Sequence, residues 1–127
     1  MRIFKSAWFD RFARKESIPD VDLLEAVSRL SAGLVDADLG GGVFKQRIRR
    51  AGEGRSSGYR GIVLFRQHSI ALFVYGFAKN SRENICESEL IQFKKMARYM
   101  LNISSDHIVA LLKSGQLEEV INDEQAI

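Results

Sequence analysis

Apolar residues in the first third of the chain recur at helical spacing. Trp8, Phe9 and Phe12 predict one helix, which Ser6 caps and which runs to about residue 15. We expect this aromatic stripe to lie in the core, because a small domain buries its large aromatic rings. A second helix is predicted from an N-cap at Asp20 to about residue 32. Its apolar face consists of Val21, Leu24, Val27, Leu30 and Leu34.

The middle of the chain has the pattern of a sheet. The predicted strands are residues 43–50, 59–66 and 70–78. The second and third contain uninterrupted apolar runs, which are typical of strands covered on both faces. Only residues 67–69 separate these two strands, so we expect an antiparallel hairpin. Residues 36–42, with three consecutive glycines, are interpreted as a linker between helix and sheet.

Shorter signals complete the prediction. Residues 2–5 and 117–121 are predicted short strands, and residues 85–101 and 107–114 are predicted helices. The longer of these helices has an apolar side formed by Leu90, Phe93, Ala97 and Leu101. The pattern indicates an α+β fold in a single domain over residues 1–127, with helices first, then a sheet, then further helices.

Composition limits the class of protein. The 127 residues are 46% hydrophobic, which suits one compact core, and 19 basic against 16 acidic residues give a net charge of +3. Cys86 is the single cysteine, so a disulfide within the chain and a cysteine-rich zinc site are excluded. No apolar segment approaches the roughly 20 residues that span a bilayer. We expect a cytoplasmic protein without a membrane anchor.

Basic residues concentrate in the first long strand. Lys45, Arg47 and Arg49 occupy alternate positions, so they share one face, opposite Phe44, Gln46, Ile48 and Arg50. Arg55 and Arg60 continue the positive character along the chain. Like charges on one face repel each other, and an anionic ligand such as RNA phosphate would relieve that repulsion. A solvated basic face without any partner is the alternative interpretation.

Several short strings occur in an order that matches a protein family. They are Trp8-Phe9, Ala13-Arg14-Lys15, Asp36-Ala37-Asp38-Leu39, Gly40-Gly41-Gly42, Lys45-Gln46-Arg47, Ser57-Gly58-Tyr59-Arg60 and Tyr75-Gly76-Phe77-Ala78-Lys79-Asn80. Together they resemble the RelE-type toxins of bacterial type II toxin–antitoxin systems, in the branch with HigB-like members. The resemblance covers nearly the whole chain. It implies a microbial-ribonuclease-like fold, with early helices packed on a curved, mostly antiparallel sheet and a helix after it.

The resemblance also implies an activity and partners. Such toxins enter the ribosomal A site and cut mRNA, or otherwise block translation, without a metal or another cofactor. The implied partners are the ribosome, mRNA and a cognate antitoxin, often a helix-turn-helix protein of the HigA-like type. Operator DNA would be reached only through that antitoxin.

The family's site residues map onto positions in this sequence. Lys45, Arg47 and Arg60 match its basic catalytic residues, which stabilise the phosphorane formed during RNA cleavage. Lys45 is the candidate for proton transfer, because arginine, with a pKa above about 12, is a poor base. Further RNA contacts are expected from Arg49, Arg55, Tyr59, Lys79, Asn80 and Arg82. Tyr59 has an alternative role as a strand-packing residue, and Tyr75 is expected in the core.

Two departures from the family pattern keep other functions open. Asn80 stands where the founding branch has an arginine, and Ile85 and Cys86 stand where that branch has a tyrosine. One alternative is a protein that binds RNA or the ribosome without cutting. Another is a gyrase-directed poison, because the related ParE branch shares the fold. The basic strand favours RNA over gyrase.

Overall fold

The computed structural model of the protein describes residues 1–49, 58–82 and 84–120. Along them the elements are β1 (Arg2–Ser6), α1 (Ala7–Lys15), α2 (Asp20–Ser31), β2 (Ala37–Gly40), β3 (Val43–Ile48), β4 (Tyr59–Arg66), β5 (Ile70–Ala78), α3 (Glu87–Met100), α4 (Ser105–Lys113) and β6 (Leu117–Glu119). The predicted positions of Arg50, Arg55 and residue 121 lie outside the described residues.

The described strands form a sheet in the order β2-β3-β4-β5-β1-β6. Neighbouring strands are antiparallel except β1, which runs parallel to β5 with Arg2 opposite Ile70. β4 and β5 form the predicted hairpin, in which Arg66 pairs with Ile70. The α+β class with a mostly antiparallel sheet is therefore confirmed.

Helices cover both faces of the sheet. α1 and α2 bury Phe9 and Leu23 against one face, in a core that includes Phe73. α3 and α4 bury Ala97 and Ile108 against the other face. Every residue of β4 except its last is buried. The uninterrupted apolar run in this strand therefore reflects two-sided cover, as predicted.

The segment interpreted as a linker contains a strand. β2 pairs antiparallel with β3, with Ala37 opposite Lys45 and Gly40 opposite Val43. Gly41 and Gly42 make the turn with φ of +63° and +84°, a left-handed conformation that residues with a Cβ rarely adopt. The linker interpretation is wrong because the consecutive glycines form a tight hairpin, and the strand before them has only four residues.

The apolar face of α2 is rotated from the predicted one. The helix begins at Asp20, with Pro19 rather than Asp20 as its N-cap. Its buried side chains are Leu23, Ala26, Val27 and Leu30. Val21 and Leu34, expected on that face, are 65% and 63% exposed. Val21 lies in the first turn and Leu34 lies beyond the helix, so neither reaches the sheet.

β1 covers only part of β5. Their register ends with Lys5 opposite Phe73, and the chain then turns into α1. Ser6 caps α1 as predicted, because its hydroxyl accepts a backbone N–H of the first turn at 3.1 Å. Beside the remaining end of β5, the ring of Phe12 lies so close to Gly76 that a Cβ there would be 2.6 Å from it. Helix α1 thus packs on the face of the sheet along this part of β5.

Candidate functional site

Two arginines face each other across the ladder between β3 and β4. Arg47 lies directly opposite Arg60, and Lys45, two residues before Arg47, lies opposite Ile62. Directly opposed residues of an antiparallel pair share a face, as do residues two apart on one strand. The structure therefore brings the three predicted catalytic cations together on one face. We call Lys45, Arg47 and Arg60 the cationic cluster.

Arg60 is held in an unfavourable position for a cation. It is 9% exposed, and its guanidinium donates a hydrogen bond to the backbone oxygen of Tyr59 at 3.3 Å. Burial lowers the pKa of Arg60 from its ordinary value, the charge of Arg47 lowers it further, and Asp36 opposes the change. Among the described residues, neither Arg60 nor Lys45 has a carboxylate within ion-pair distance. A bound anion would offset the repulsion between Arg60 and Arg47.

Side chains fix Arg47 at the outer edge of β3. Strand β2 begins only at Ala37, opposite Lys45, so none of the described strand residues pairs with Arg47 on this side. The carboxylate of Asp36 accepts the backbone N–H of Arg47 at 2.5 Å and lies 3.7 Å from its Nε. Arg29 donates to the backbone oxygen of Arg47 at 2.6 Å. Both outward-facing backbone groups of Arg47 are therefore satisfied by side chains.

Gln46 in turn positions Asp36. Its side chain is fully buried at 0% exposure. Nε2 donates to the backbone oxygens of Ala26 at 3.4 Å and Leu34 at 3.0 Å, and Oε1 accepts the backbone N–H of Asp36 at 3.1 Å. These bonds join α2, the residue before β2, and β3. Gln46 faces away from the cations, as the alternation predicted, but no local signal marks its link to Asp36.

Arg82 has an acidic partner. It forms an ion pair with Glu89, donates to the hydroxyl of Tyr75 at 2.8 Å, and lies 5.6 Å and 5.8 Å from the ring centres of Tyr75 and Phe77. Glu89 also accepts the backbone N–H of Cys86 at 2.8 Å, at the start of α3. The Arg82 hydrogen bond, followed by that of Cys86, lowers the pKa of Glu89 to about 2. Arg82 thus ties β5 to α3.

The other predicted RNA contacts do not all join the cluster. Lys79 and Asn80 lie exposed in the turn after β5. Arg49 lies just beyond β3 rather than within it, and its charge acts on Asp22 near the start of α2. Arg55 lies outside the described residues. A basic face was predicted along residues 43–50. Within strand β3 as the structure describes it, Arg47 is the last cation of that face.

Tyr59 belongs to the core. It is 2% exposed, its ring meets Phe12 edge-on with centres 5.8 Å apart, and its hydroxyl donates to the backbone oxygen of Glu16 at 3.5 Å. Stacking on a base requires an accessible ring face. The stacking role predicted for Tyr59 does not fit this burial, whereas the alternative of strand packing does.

Two aromatic residues expected in the core line a surface groove. Trp8 is 40% exposed and Tyr75 is half-buried, with their ring centres 4.6 Å apart. The groove has a volume of about 550 Å³ and lies between α1, the end of β5 and the turn at residues 80–82. α1 packs on the sheet through Phe9 and Ala13. The helical spacing of the aromatic residues in α1 is compatible with burial of either Trp8 or Phe9. It therefore did not predict which of the two rings stays exposed.

The described residues add two further observations. They contain no group of three or more His, Cys, Asp or Glu side chains placed to hold a metal ion. None of their helices is long and apolar enough to cross a membrane.

These features define a small α+β protein with a cationic cluster on one sheet face. The family model described as the RelE toxin of the RelE/RelB toxin–antitoxin system matches residues 1–120. The chain therefore belongs to the RelE family: it is the toxin of a toxin–antitoxin system, and a cognate antitoxin is its implied partner. No curated protein matches the chain significantly.

Proposed function

We propose that this RelE-family toxin inhibits translation by cutting mRNA on the ribosome, without a metal or another cofactor. The observation that carries the proposal is the direct opposition of Arg47 and Arg60, with no carboxylate within ion-pair distance of Arg60 among the described residues. A scissile phosphate between the two guanidinium groups would replace repulsion with charge-assisted hydrogen bonds. The site of action would be the cytoplasm, where ribosomes translate.

The cluster suits cleavage of RNA by its own 2′-hydroxyl. The 2′-oxygen attacks phosphorus, a phosphorane forms, and the bond to the 5′-oxygen breaks, which leaves a 2′,3′-cyclic phosphate and a 5′-hydroxyl. The proton lost by the 2′-hydroxyl is balanced by one delivered to the leaving oxygen. Arg47 and Arg60 would stabilise the charge of the phosphorane. Lys45, whose Nζ donates to Oδ1 of Asn84 at 3.3 Å, would exchange protons, because guanidinium holds its proton too tightly.

Binding to RNA or the ribosome without cleavage is the second candidate. It is favoured by the residues at the two positions that depart from the founding branch. Asn80 lies exposed in a turn, and Ile85 is partly buried against the α3 side of the core. Neither residue supplies the charge or the hydroxyl found there in that branch. The cluster would then hold phosphates without completing the proton transfers.

The antitoxin partner follows the same reasoning. We propose a helix-turn-helix antitoxin of the HigA-like type, in keeping with the HigB-like resemblance. The toxin would reach operator DNA only through that partner. Co-expression with the adjacent small open reading frame should restore growth. A neighbour that neither rescues growth nor copurifies would contradict this assignment.

Primer extension on translated mRNA after induction tests the main proposal. Wild-type toxin should create new 5′ ends within coding regions, and protein synthesis should fall before DNA synthesis. Arg47→Ala and Arg60→Ala should remove the new ends. Arg66→Ala is the matched control, because Arg66 lies on the same strand but donates to Asn102 at 2.9 Å, away from the cluster.

Each other outcome points to a different function. Arrested protein synthesis without new 5′ ends would support binding without cleavage. DNA synthesis that falls first would indicate a gyrase-directed poison. Cleavage that survives both cluster substitutions would show that the cluster is not the site.

A further inference from the structure

The groove beside the cationic cluster has aromatic walls. Trp8 and Phe12 of α1 form one wall, and Tyr75 and Phe77 of β5 form another. The turn at residues 80–82 closes one end. The volume of about 550 Å³ falls in the range of small-ligand sites. We call this space the aromatic groove.

Trp8 exposes an unusual amount of apolar surface. It is 40% exposed, although its neighbour Phe9 is fully buried. Its ring lies nearly parallel to that of Phe12, with centres 5.4 Å apart, and stacks on Tyr75 at 4.6 Å. These contacts hold the indole in one orientation. A ligand that covered the exposed part would remove apolar surface from water without the entropic cost of ordering the ring.

The charges that line the aromatic groove nearly cancel. Lys15 and Glu16, which both line the groove, carry opposite charges, and the third charged lining residue, Arg82, is paired with Glu89 behind it. Asn80 adds an amide, which both donates and accepts hydrogen bonds. A phosphate or an acidic peptide would gain little here. A nucleobase is flat and uncharged and has donors and acceptors on its edge, so it matches the groove.

The aromatic groove adjoins the cationic cluster. Phe77 lies directly opposite Arg60 in the ladder between β5 and β4. Paired strands are about 5 Å apart, so the groove wall is one strand away from Arg60. Arg82 covers the ring of Phe77 with its guanidinium 5.8 Å from the ring centre. A nucleotide whose phosphate contacts Arg60 therefore has a neighbouring nucleotide within reach of the groove.

We propose that the aromatic groove binds a nucleobase of single-stranded RNA next to the phosphate held by the cationic cluster, with Trp8 as the main stacking surface. The inference rests on the proposed function, because it takes RNA as the ligand of the cluster. Phosphate binding and base binding are divided between two adjacent surfaces. Stacking accepts any base, so the groove adds affinity and register with little sequence preference.

Trp8 itself reports on this binding, because it is the single tryptophan of the chain. The first experiment titrates the purified toxin with a short single-stranded RNA and with an abasic oligonucleotide of the same length. The RNA should quench Trp8 fluorescence to saturation and bind about tenfold more tightly than the abasic chain, as for one base–aromatic stack. The abasic chain should still bind, as measured by fluorescence anisotropy, but it should not quench Trp8 fluorescence. Equal quenching and equal affinity for both would overturn the inference.

Variants provide the second test. Trp8→Ala should weaken RNA binding about tenfold and leave the affinity for the abasic chain unchanged, whereas Trp8→Phe should retain most of the affinity. Tyr99→Ala is the matched control, because Tyr99 is an aromatic residue of α3, 55% exposed, that contacts His107 rather than the groove. Thermal melts establish that each variant is folded. If Trp8→Ala does not fold, Trp8→Phe and the abasic comparison still decide.

The outcomes separate this inference from the proposed function. Arg47→Ala should weaken binding of both oligonucleotides, because it acts on phosphate. Loss of binding with Arg47→Ala, together with unchanged RNA binding in Trp8→Ala, would overturn the groove assignment and leave the cleavage proposal standing. A Trp8→Ala variant that keeps RNA affinity but no longer copurifies with the antitoxin would make the groove a protein-binding site instead. Absence of any binding to RNA and ribosomes would remove both proposals.

Discussion

Arg82 and Arg60 lie near each other on one side of the sheet, but their surroundings differ. The guanidinium of Arg82 has the carboxylate of Glu89, the hydroxyl of Tyr75 and the backbone oxygen of Asn84, the last at 2.6 Å. Arg60 is more deeply buried, and among the described residues its guanidinium bonds only to a backbone oxygen at 3.3 Å. Its nearest described charge across the ladder is Arg47, which has the same sign.

The difference separates a structural cation from a ligand-binding one. Glu89 raises the pKa of Arg82, so the folded protein favours the charge that is already there. Burial and Arg47 lower the pKa of Arg60, so the fold holds that charge at a cost in stability. A bound anion would offset this cost in stability, as is common at functional sites. A count of basic residues would not distinguish the two; their partners do.

The largest expected effect comes from Ile62→Asp. Ile62 is fully buried, and in the ladder it lies between Lys45 and Tyr75. It therefore lies between the cationic cluster and the surroundings of Arg82. Aspartate there would bury a carboxylate in place of a core side chain, which should cost more than about 4 kcal/mol even with Lys45 opposite, enough to unfold the sheet. Circular dichroism should show the loss of structure, and toxicity should disappear with it. Ile62→Val, which costs about 1 kcal/mol, is the control and should remain toxic.

Arg47→Ala should remove toxicity without unfolding the protein. Losing one charge-assisted contact costs roughly 1.5–3 kcal/mol in the transition state, which slows cleavage about ten- to hundredfold. Lys45→Ala should act in the same direction. Arg82→Ala should instead lower the melting temperature and leave phosphate binding intact. If Arg47→Ala and Lys45→Ala stay fully toxic at matched expression, the contrast between the two regions has no functional meaning.

The salt dependence of RNA binding sharpens the comparison. Three phosphate contacts by the cationic cluster should give a slope of about −2 for the logarithm of affinity against the logarithm of salt concentration, since each contact to a single strand contributes about 0.7. Arg47→Ala should reduce the slope by about 0.7. Arg82→Ala should leave it unchanged, because Glu89 already neutralises that charge. Equal changes in both variants would place Arg82 among the phosphate contacts.

The smallest effect concerns acid stability. The folded pKa of Glu89 is about 2, below its usual value of 4.5, because of the hydrogen bond from Arg82. The ionised carboxylate therefore stabilises the folded state above about pH 4.5, and this contribution is lost as the pH falls towards 2. Glu89→Gln should flatten that part of the stability profile. Glu87→Gln, exposed in the same turn of α3, should leave the profile as in the parent protein.

The repeat of apolar residues predicted most of the fold, for a physical reason. β4 and β5 are covered on both faces, so their sequence alone indicates buried strands, and Leu90 and Phe93 mark one side of α3 through local spacing. β2 was missed because four residues carry too little pattern. Trp8 was misplaced because α1 has aromatic residues on adjoining positions, and only the arrangement of β1 and β5 determines which one is covered.

The site was predictable to a smaller extent. Alternation along a strand placed Lys45 and Arg47 on one face. The position of Arg60 opposite Arg47 depends on the register between β3 and β4, which alternation does not give. The bonds among Gln46, Asp36 and Arg29 depend on how α2 packs beside β3, and residues distant in sequence make them. The aromatic groove likewise required the path of α1.

The position of β1 has a consequence for folding during synthesis. β1 is made first but lies between β5 and β6, which are among the last described elements to be made. Contacts between segments so distant in sequence form slowly, because a long loop must close before they are gained. A chain that ends after residue 69 should therefore lack ordered β1 and α1, as circular dichroism of that fragment would show. The β3–β4 hairpin with its opposed arginines is local and can form early, while the wall supplied by Trp8 must wait for β5. In the nascent toxin, the opposed arginines therefore come together before the aromatic groove forms.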